Sequence, residues 1–242
     1  MKKPNQIEKK LIYQSWLKVA SNDGAAGIDK MSIEMIKADY KPLLYKLWNR
    51  MSSGSYQASP VRKVEIPKSD GKTRTLGIPT VLDRVAQMAV VMLLEPRLDR
   101  KFHEDSYGYR PNKSAHQALE QARNRCFETP YVIDLDIKGF FDNINHDKLM
   151  AIVEEVTPEK WIRLYIKRWL KAKMQDNQGN ITERDLGTPQ GGVISPLLAN
   201  MYLDRVFDQW MVKQFGKIKF ERYADDSVPR AQKRIQNAIT VH

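Results

Sequence analysis

Two consecutive aspartates, Asp225 and Asp226, follow an aromatic-containing, strand-like segment, Phe220–Tyr223. A third, Asp136, lies near the end of another such segment, Tyr131–Ile137. A lone Asp-Asp pair on a turn reads as solvated surface, and a lone Asp136 as a helix cap or an ion-pair partner. Three carboxylates at two strand ends read together as a divalent-metal site. Mg²⁺ takes oxygen ligands and completes its octahedron with substrate phosphates and water. Two such ions about 3.5–4 Å apart support in-line phosphoryl transfer. The apolar side chains of Tyr131–Ile137 fall on odd positions, so Asp134 and Asp136 share the other face. Asp134 reads as structural and Asp142 as a helix-end partner.

The charge balance supplies the second chemical signal. Lys and Arg total 40 against 29 Asp and Glu, a net charge of +11 with a pI near 9.6. A polyanion is the first partner to consider. Between Lys41 and Thr75 eight cations face two acids, Glu65 and Asp70. Lys160, Arg163, Lys167, Arg168, Lys171 and Lys173 form a second basic run. Other classes recede. The longest apolar run, Met88–Leu94, is too short to span a bilayer. No apolar segment follows Met1-Lys2-Lys3-Pro4, so a secretory signal is not expected. The single cysteine, Cys126, excludes an internal disulfide and a multi-cysteine zinc site, and fits a reducing cytoplasm. The four histidines are scattered without ligand spacing.

The elements that must position these groups alternate between helices and short strands, which makes an α/β (α+β) chain of one or two domains. Ser32 caps a helix running to about Met51, split or kinked by Pro42. Val61–Ile66 and Thr73–Ile78 flank a turn at 67–72 and predict a basic hairpin. Thr80 opens an apolar helix expected to stop at Glu95-Pro96. Ser114 and Gln117 form a capping box before a helix with Leu119, Ala122 and Cys126 on one face, where Cys126 is expected in the core. Asn145 and Thr157-Pro158 open two further helices. Ser195-Pro196 starts one that should end at Gly216. Ala224-Asp225-Asp226 reads as a tight turn.

Six ordered blocks then resemble the reverse transcriptases encoded by group II introns. Arg222-Tyr223-Ala224-Asp225-Asp226 resembles their Tyr-x-Asp-Asp box. Asp136-Ile137-Lys138-Gly139-Phe140-Phe141-Asp142-Asn143-Ile144 resembles their first metal-binding motif. The run from Gly187 to Asn200, with its Gln-Gly-Gly and Ser-Pro-Leu-Leu-Ala-Asn, resembles the template- and nucleotide-contacting motif. Gly27-Ile28-Asp29-Lys30, Arg62–Pro79 and Asp105–Pro111 resemble the N-terminal and fingers blocks. A Tyr-x-Asp-Asp alone is weak; six blocks in order are strong.

The resemblance implies a right-hand polymerase with fingers and palm, and no thumb in these 242 residues. The expected organisation is an N-terminal helical extension over 1–20, fingers over 21–112, an incomplete palm over 113–228 and an atypical basic tail over 229–242. It implies metal-binding, catalytic carboxylates at Asp136, Asp225 and Asp226, with the Ile137 carbonyl as a further ligand to two Mg²⁺ ions (or Mn²⁺). Phe141 would be the gate that excludes a 2′-hydroxyl, and Phe140 a core residue. Gln190 would contact the sugar of the incoming nucleotide, and Lys68 and Arg74 would clamp its triphosphate. Arg62, Lys63 and Lys72 would meet RNA phosphates. The implied partners are template and intron RNA, a DNA primer and deoxynucleoside triphosphates, with no membrane. The implied place is the cytoplasm of a bacterial-type or organellar intron host. Two alternatives stand beside this: a catalytically inactive RNA-binding maturase remnant, and a retron, diversity-generating or defence-type relative. The family continues past the two acids with an apolar second strand, whereas here Pro229-Arg230-Ala231-Gln232-Lys233-Arg234 follows. A proline cannot donate to a central ladder, so no closing strand is expected after Val228, and residues 1–242 are expected to bind RNA but polymerise weakly or not at all.

Overall fold

The structure is a computed structural model that describes residues 4–67, 71, 73–129, 131–216 and 218–231. In chain order the N-terminal elements are α1 (Lys9–Ala20), α2 (Ile33–Ala38), α3 (Tyr40–Ser53), β1 (Val61–Pro67), β2 (Thr73–Ile78) and α4 (Val81–Leu98). There follow α5 (Ala115–Cys126), β3 (Tyr131–Val132), β4 (Leu135–Asp136), α6 (Phe140–Asn143), α7 (His146–Val156) and α8 (Lys160–Leu170). The last are β5 (Met174–Gln175), β6 (Ile181–Thr182), α9 (Ser195–Leu203), a π-helical segment Asp204–Asp208, α10 (Gln209–Phe215), β7 (Lys219–Tyr223) and β8 (Asp226–Ala231).

Local chemistry sets many of these bounds. The Ser32 hydroxyl accepts from Met35 N, and α2 breaks at Asp39, so that Pro42 falls in the first turn of α3. Both bonds of the Ser114–Gln117 capping box are present, and Asn145 accepts from Lys148 N. The helix after Thr80 does not stop at Glu95-Pro96; it carries Pro96 within its last turn and ends at Leu98.

The chain divides into two compact, interleaved units: residues 1–97 with 141–198, and residues 98–140 with 199–242. The linear boundaries expected from the sequence are not those of these units. The first unit holds a four-stranded sheet of order β2-β1-β5-β6, in which β1 and β2 are antiparallel and β1 and β5 parallel. Its core includes Ile12, Trp16, Ile36, Met51, Leu149, Ile162 and Tyr165. Here a buried relay runs from Trp169 Nε1 to the Tyr56 hydroxyl (3.1 Å), which in turn donates to Asp83. Asp83 also accepts from the Thr80 hydroxyl at 2.7 Å and from Ser59 N at 3.2 Å. Burial raises the Asp83 carboxyl above its ordinary range, against the pull of these donors, and raises the Tyr56 hydroxyl well above its own.

The second unit holds the other sheet, in which β8 is central, with β3 and β4 on one side and β7 on the other. The Tyr131–Ile137 segment pairs with β8. One expectation is corrected. The chain after Val228 does close a hairpin, so residues 229–231 belong to the sheet rather than to a tail. The physical reason lies in the register. Ile133 N–H donates to the Pro229 carbonyl at 3.0 Å, and the reciprocal donor is the one that proline lacks. The missing bond falls at 133–134, where the partner strand is interrupted between β3 and β4. Proline is accommodated in a central strand by a gap in its neighbour. Cys126 is exposed, not in the core: α5 turns Ala118 inward and leaves Leu119 66% exposed.

Candidate functional site

The three carboxylates all belong to the second unit. Asp136 in β4 pairs directly with Asp226 in β8. Residues directly opposite on antiparallel strands project to the same face with Cα atoms about 4.5–5.5 Å apart. Asp225 sits beside Asp226 in the two-residue turn that joins β7 to β8, closed by the Tyr223–Asp226 pair. Ala224, the first turn residue, has φ +57°, a left-handed conformation unusual for a residue with a Cβ. Asp134 and Asp136 are both exposed, as the alternation in the sequence requires. Burial, joined by the charges of Asp225, Asp136 and Asp134, raises the Asp226 carboxyl above its ordinary range. The Ile137 carbonyl accepts from Phe140 N at 3.2 Å and keeps a second lone pair.

This donor set is all oxygen and strongly anionic, which suits a hard divalent cation better than zinc. Among the described residues no group of three or more His, Cys, Asp or Glu side chains is gathered as a ready metal cluster. The carboxylates therefore fit such an ion by chemical type and by backbone position.

Around the turn the packing is close. Gly108 runs against it so tightly that a Cβ there would lie 2.3 Å from Ala224 N. Tyr107 N donates to Arg222 O, and Arg222 N to Asp105 O. On the face of the sheet shared with the acids, Glu221 is buried between Arg125 (2.6 Å) and Arg230, and Arg125 also binds Asp105 at 2.9 Å. Sequence reasoning gave no role to this cluster or to the Arg222 side chain, whose side-chain partners Asp208, Asn200 and Ser106 lie 14 or more residues away.

The first unit carries the other singled-out residues. Arg74 in β2 donates through Nε to the Gln190 side-chain oxygen. The Gln190 amide nitrogen donates to Asp142 at 3.3 Å, and Gly77 N donates to the Gln190 carbonyl at 2.9 Å. Phe141 is buried, and its carbonyl accepts from Thr188 N at 2.7 Å. Gly187, at φ +75°, approaches this strip so closely that a Cβ would lie 2.6 Å from the carbonyl oxygens of Phe141 and Asp142. His146, given no role by its spacing, is buried with Nε2 2.7 Å from the Gly187 carbonyl. The motif from Gly187 to Gln190 is thus moored to the strip 141–144 and to β2.

Of the basic hairpin, Arg62 is half-buried with its Nε unpartnered, and Lys63 pairs with Glu65 at 2.9 Å. Lys68 and Lys72 lie outside the described residues. In the second basic run Arg168 is structural, binding the carbonyls of Gly54 (2.8 Å) and Tyr56, and Lys173 pairs with Glu183 at 2.8 Å. No helix among the described residues is long and apolar enough to cross a membrane.

Comparison with known proteins gives a concordant picture. The family described as reverse transcriptase (RNA-dependent DNA polymerase) matches residues 66–239. The chain is 37% identical to Protein YkfC of Escherichia coli K12 over 85% of its length and 56% of that protein. It is 33% identical to the group II intron-encoded protein LtrA of Lactococcus lactis over 95% of its length, but 38% of that protein. The chain therefore spans between about a third and a little over half of these relatives. Among solved structures it resembles a partial Cas6-RT-Cas1–Cas2 complex, with a TM-score of 0.56 and 24% identity, covering 93% of this chain and 37% of that one. Candida albicans telomerase scores 0.55 at 15% identity, covering 78% and 42%. At such identities the structural likeness speaks to fold alone: the mixed helix-and-strand fingers and palm of a reverse transcriptase.

Proposed function

Because the chain belongs to the reverse transcriptase family, in its group II intron-encoded branch, we propose that its chemistry is RNA-directed DNA synthesis by metal-dependent nucleotidyl transfer. The observation that carries this reading is the pairing of Asp136 with Asp226, with Asp225 in the adjoining turn. Asp136, Asp225 and Asp226, with the Ile137 carbonyl, would hold divalent magnesium, for which manganese could substitute. When bound, such an ion neutralises charge on the transferring phosphoryl group.

The remaining roles belong to the chain's own side chains. Arg74 supplies a fixed positive charge for the triphosphate, and Lys68 is assigned the same part. Gln190, its amide oriented by Asp142, donates or accepts toward the sugar. The Phe141 ring selects deoxynucleotides by occupying the place of a 2′-hydroxyl. Arg62, Lys63 and Lys72 neutralise RNA phosphates, which serves both a template and a bound intron RNA whose splicing the protein would assist. Template RNA, a DNA primer and deoxynucleoside triphosphates are the partners this reading requires.

The test is incorporation of a single deoxynucleotide on an RNA-templated DNA primer in Mg²⁺. Incorporation that Asp225→Asn abolishes supports the reading. Incorporation that survives Asp225→Asn unchanged contradicts it.

A further inference from the structure

A fully buried arginine sits one residue before the Tyr-Ala-Asp-Asp turn. Arg222 is 0% exposed, and every one of its side-chain N–H groups faces an acceptor. Nε and Nη2 bind the two oxygens of Asp208, at 2.7 and 2.6 Å. Nη2 also reaches the Ser106 hydroxyl at 2.8 Å. Nη1 donates to the Asn200 side-chain oxygen at 3.1 Å and to the backbone carbonyl of Ala224 at 2.9 Å. Asn200 is itself fixed, its amide donating to the Gly108 carbonyl at 2.8 Å.

The Ala224 carbonyl is the point of interest. It belongs to the strained residue of the turn and to the peptide that precedes Asp225. Arg222 opposes Ser227 and Tyr223 opposes Asp226, so Arg222 projects to the face of the sheet away from Asp226. It cannot meet the bound substrate; it can hold the turn from behind. A buried ion pair is a weak device for stability, since well-packed apolar residues do as well, but a planar guanidinium fixes directions that apolar contacts leave free. Asp208 ends the π-helical segment, a wider turn of the kind that recurs at functional sites. Three separate stretches, 105–108, 199–208 and 222–226, thus converge on one guanidinium.

We propose that Arg222 is the positioning residue of the Ala224–Asp226 turn, anchored by Asp208, Asn200 and Ser106, and that it sets the orientation of Asp225 and Asp226. The structural half of this stands on the hydrogen bonds alone. Its consequence for ion binding rests on the reading of Asp225 and Asp226 as metal-binding carboxylates.

The experiment uses the whole chain and two readouts: backbone amide exchange at residues 224–226, and Mn²⁺ affinity from the paramagnetic signal of the free ion. Arg222→Lys keeps the charge beside Asp208 but loses the planar fork. It should speed exchange at 224–226 about tenfold and weaken Mn²⁺ binding by a similar factor, with the circular dichroism of the fold retained. Met211→Ala, a core truncation in the same unit, should lower the melting temperature and move neither readout. Should Arg222→Lys fail to fold, Asn200→Ala removes one anchor and leaves the Arg–Asp pair, with about a threefold effect expected on exchange. Exchange at 224–226 that is unchanged, or that rises equally in Met211→Ala, overturns the positioning role. If the parent takes up no Mn²⁺, or Asp225→Asn takes it up as tightly, the metal reading fails, and the functional half of the proposal with it; the exchange result is independent of that outcome.

Discussion

Asp136 and Asp226 stand directly across from each other on neighbouring antiparallel strands, and Asp225 adjoins them in the turn. Like charges placed opposite each other in a sheet are destabilising. The Asp226 carboxyl is raised chiefly by burial, and the charges of Asp225 and Asp136 add to the shift. Asp226→Asn should therefore raise the melting temperature at pH 7 in the absence of divalent ions. Added Mg²⁺ should raise the melting temperature of the parent and leave that of the variant unmoved. Calorimetry with and without Mg²⁺ checks both; a variant less stable than the parent without metal would be against the account.

Pro229 should be replaceable. Pro229→Val restores a donor toward the Ile133 carbonyl, a net gain of about 0.5–1.5 kcal/mol for one hydrogen bond. It also loosens the unfolded chain, a cost of about 0.4–1 kcal/mol. The two nearly cancel, so the expected change in unfolding free energy is under about 1 kcal/mol. The new amide at 229 should nonetheless be protected from exchange. An unprotected amide there would mean that β3 and β4 are separated by something other than the missing donor.

The Tyr56–Asp83 contact makes a pH-dependent prediction. The Asp83 carboxyl is raised in the folded state, chiefly by burial, so folding favours its protonated form. Its contribution to stability is therefore greatest below the ordinary aspartate value of 3.8 and declines as pH rises from there through the folded value. Tyr56→Phe removes a donor that favours the charged form and leaves Trp169 Nε1 without its acceptor. It should cost about 1–3 kcal/mol at pH 7 and less at pH 3. Urea unfolding of parent and variant across that range measures the difference; a cost that does not grow with pH would contradict the assignment.

Phe141→Ala has two expected effects. Truncating a buried phenylalanine costs about 3–5 kcal/mol of stability. In a chain extended to the length of its relatives, the same change should raise the ratio of ribonucleotide to deoxynucleotide incorporation. Loss of stability with an unmoved ratio would make Phe141 a packing residue only.

What the sequence disclosed was mostly local. The caps at Ser32, Ser114 and Asn145 and the turn at Ala224–Asp225 follow from residues within one turn of each other. The alternation in 131–137 put Asp136 on one face with Asp134, and the ordered blocks singled out Asp136 and Asp225-Asp226. Strand β8 was not legible, because the rule against proline in a central ladder assumes an unbroken neighbour. The gap between β3 and β4 is a non-local accommodation invisible in 226–231 alone. Cys126 was misplaced because the inward face of α5 is set by Ala118 and by the reach of Arg125 to Asp105 and Glu221, not by its most apolar side chains. Arg222 gave no signal because its partner Asp208 lies on another element, 14 residues earlier.

On the proposed reading, Asp136, Asp225 and Asp226 hold one divalent-metal centre. Iron(II) can replace magnesium at an all-oxygen site, and with ascorbate and peroxide it cleaves the backbone nearest to it. Cleavage of the chain followed by mass spectrometry of the fragments is thus the most direct measurement. Cuts are expected near residue 136 and near 225–226 together, suppressed by excess Mg²⁺ and absent from Asp225→Asn. Cuts confined to other segments, or cuts at these that Asp225→Asn leaves intact, would contradict it.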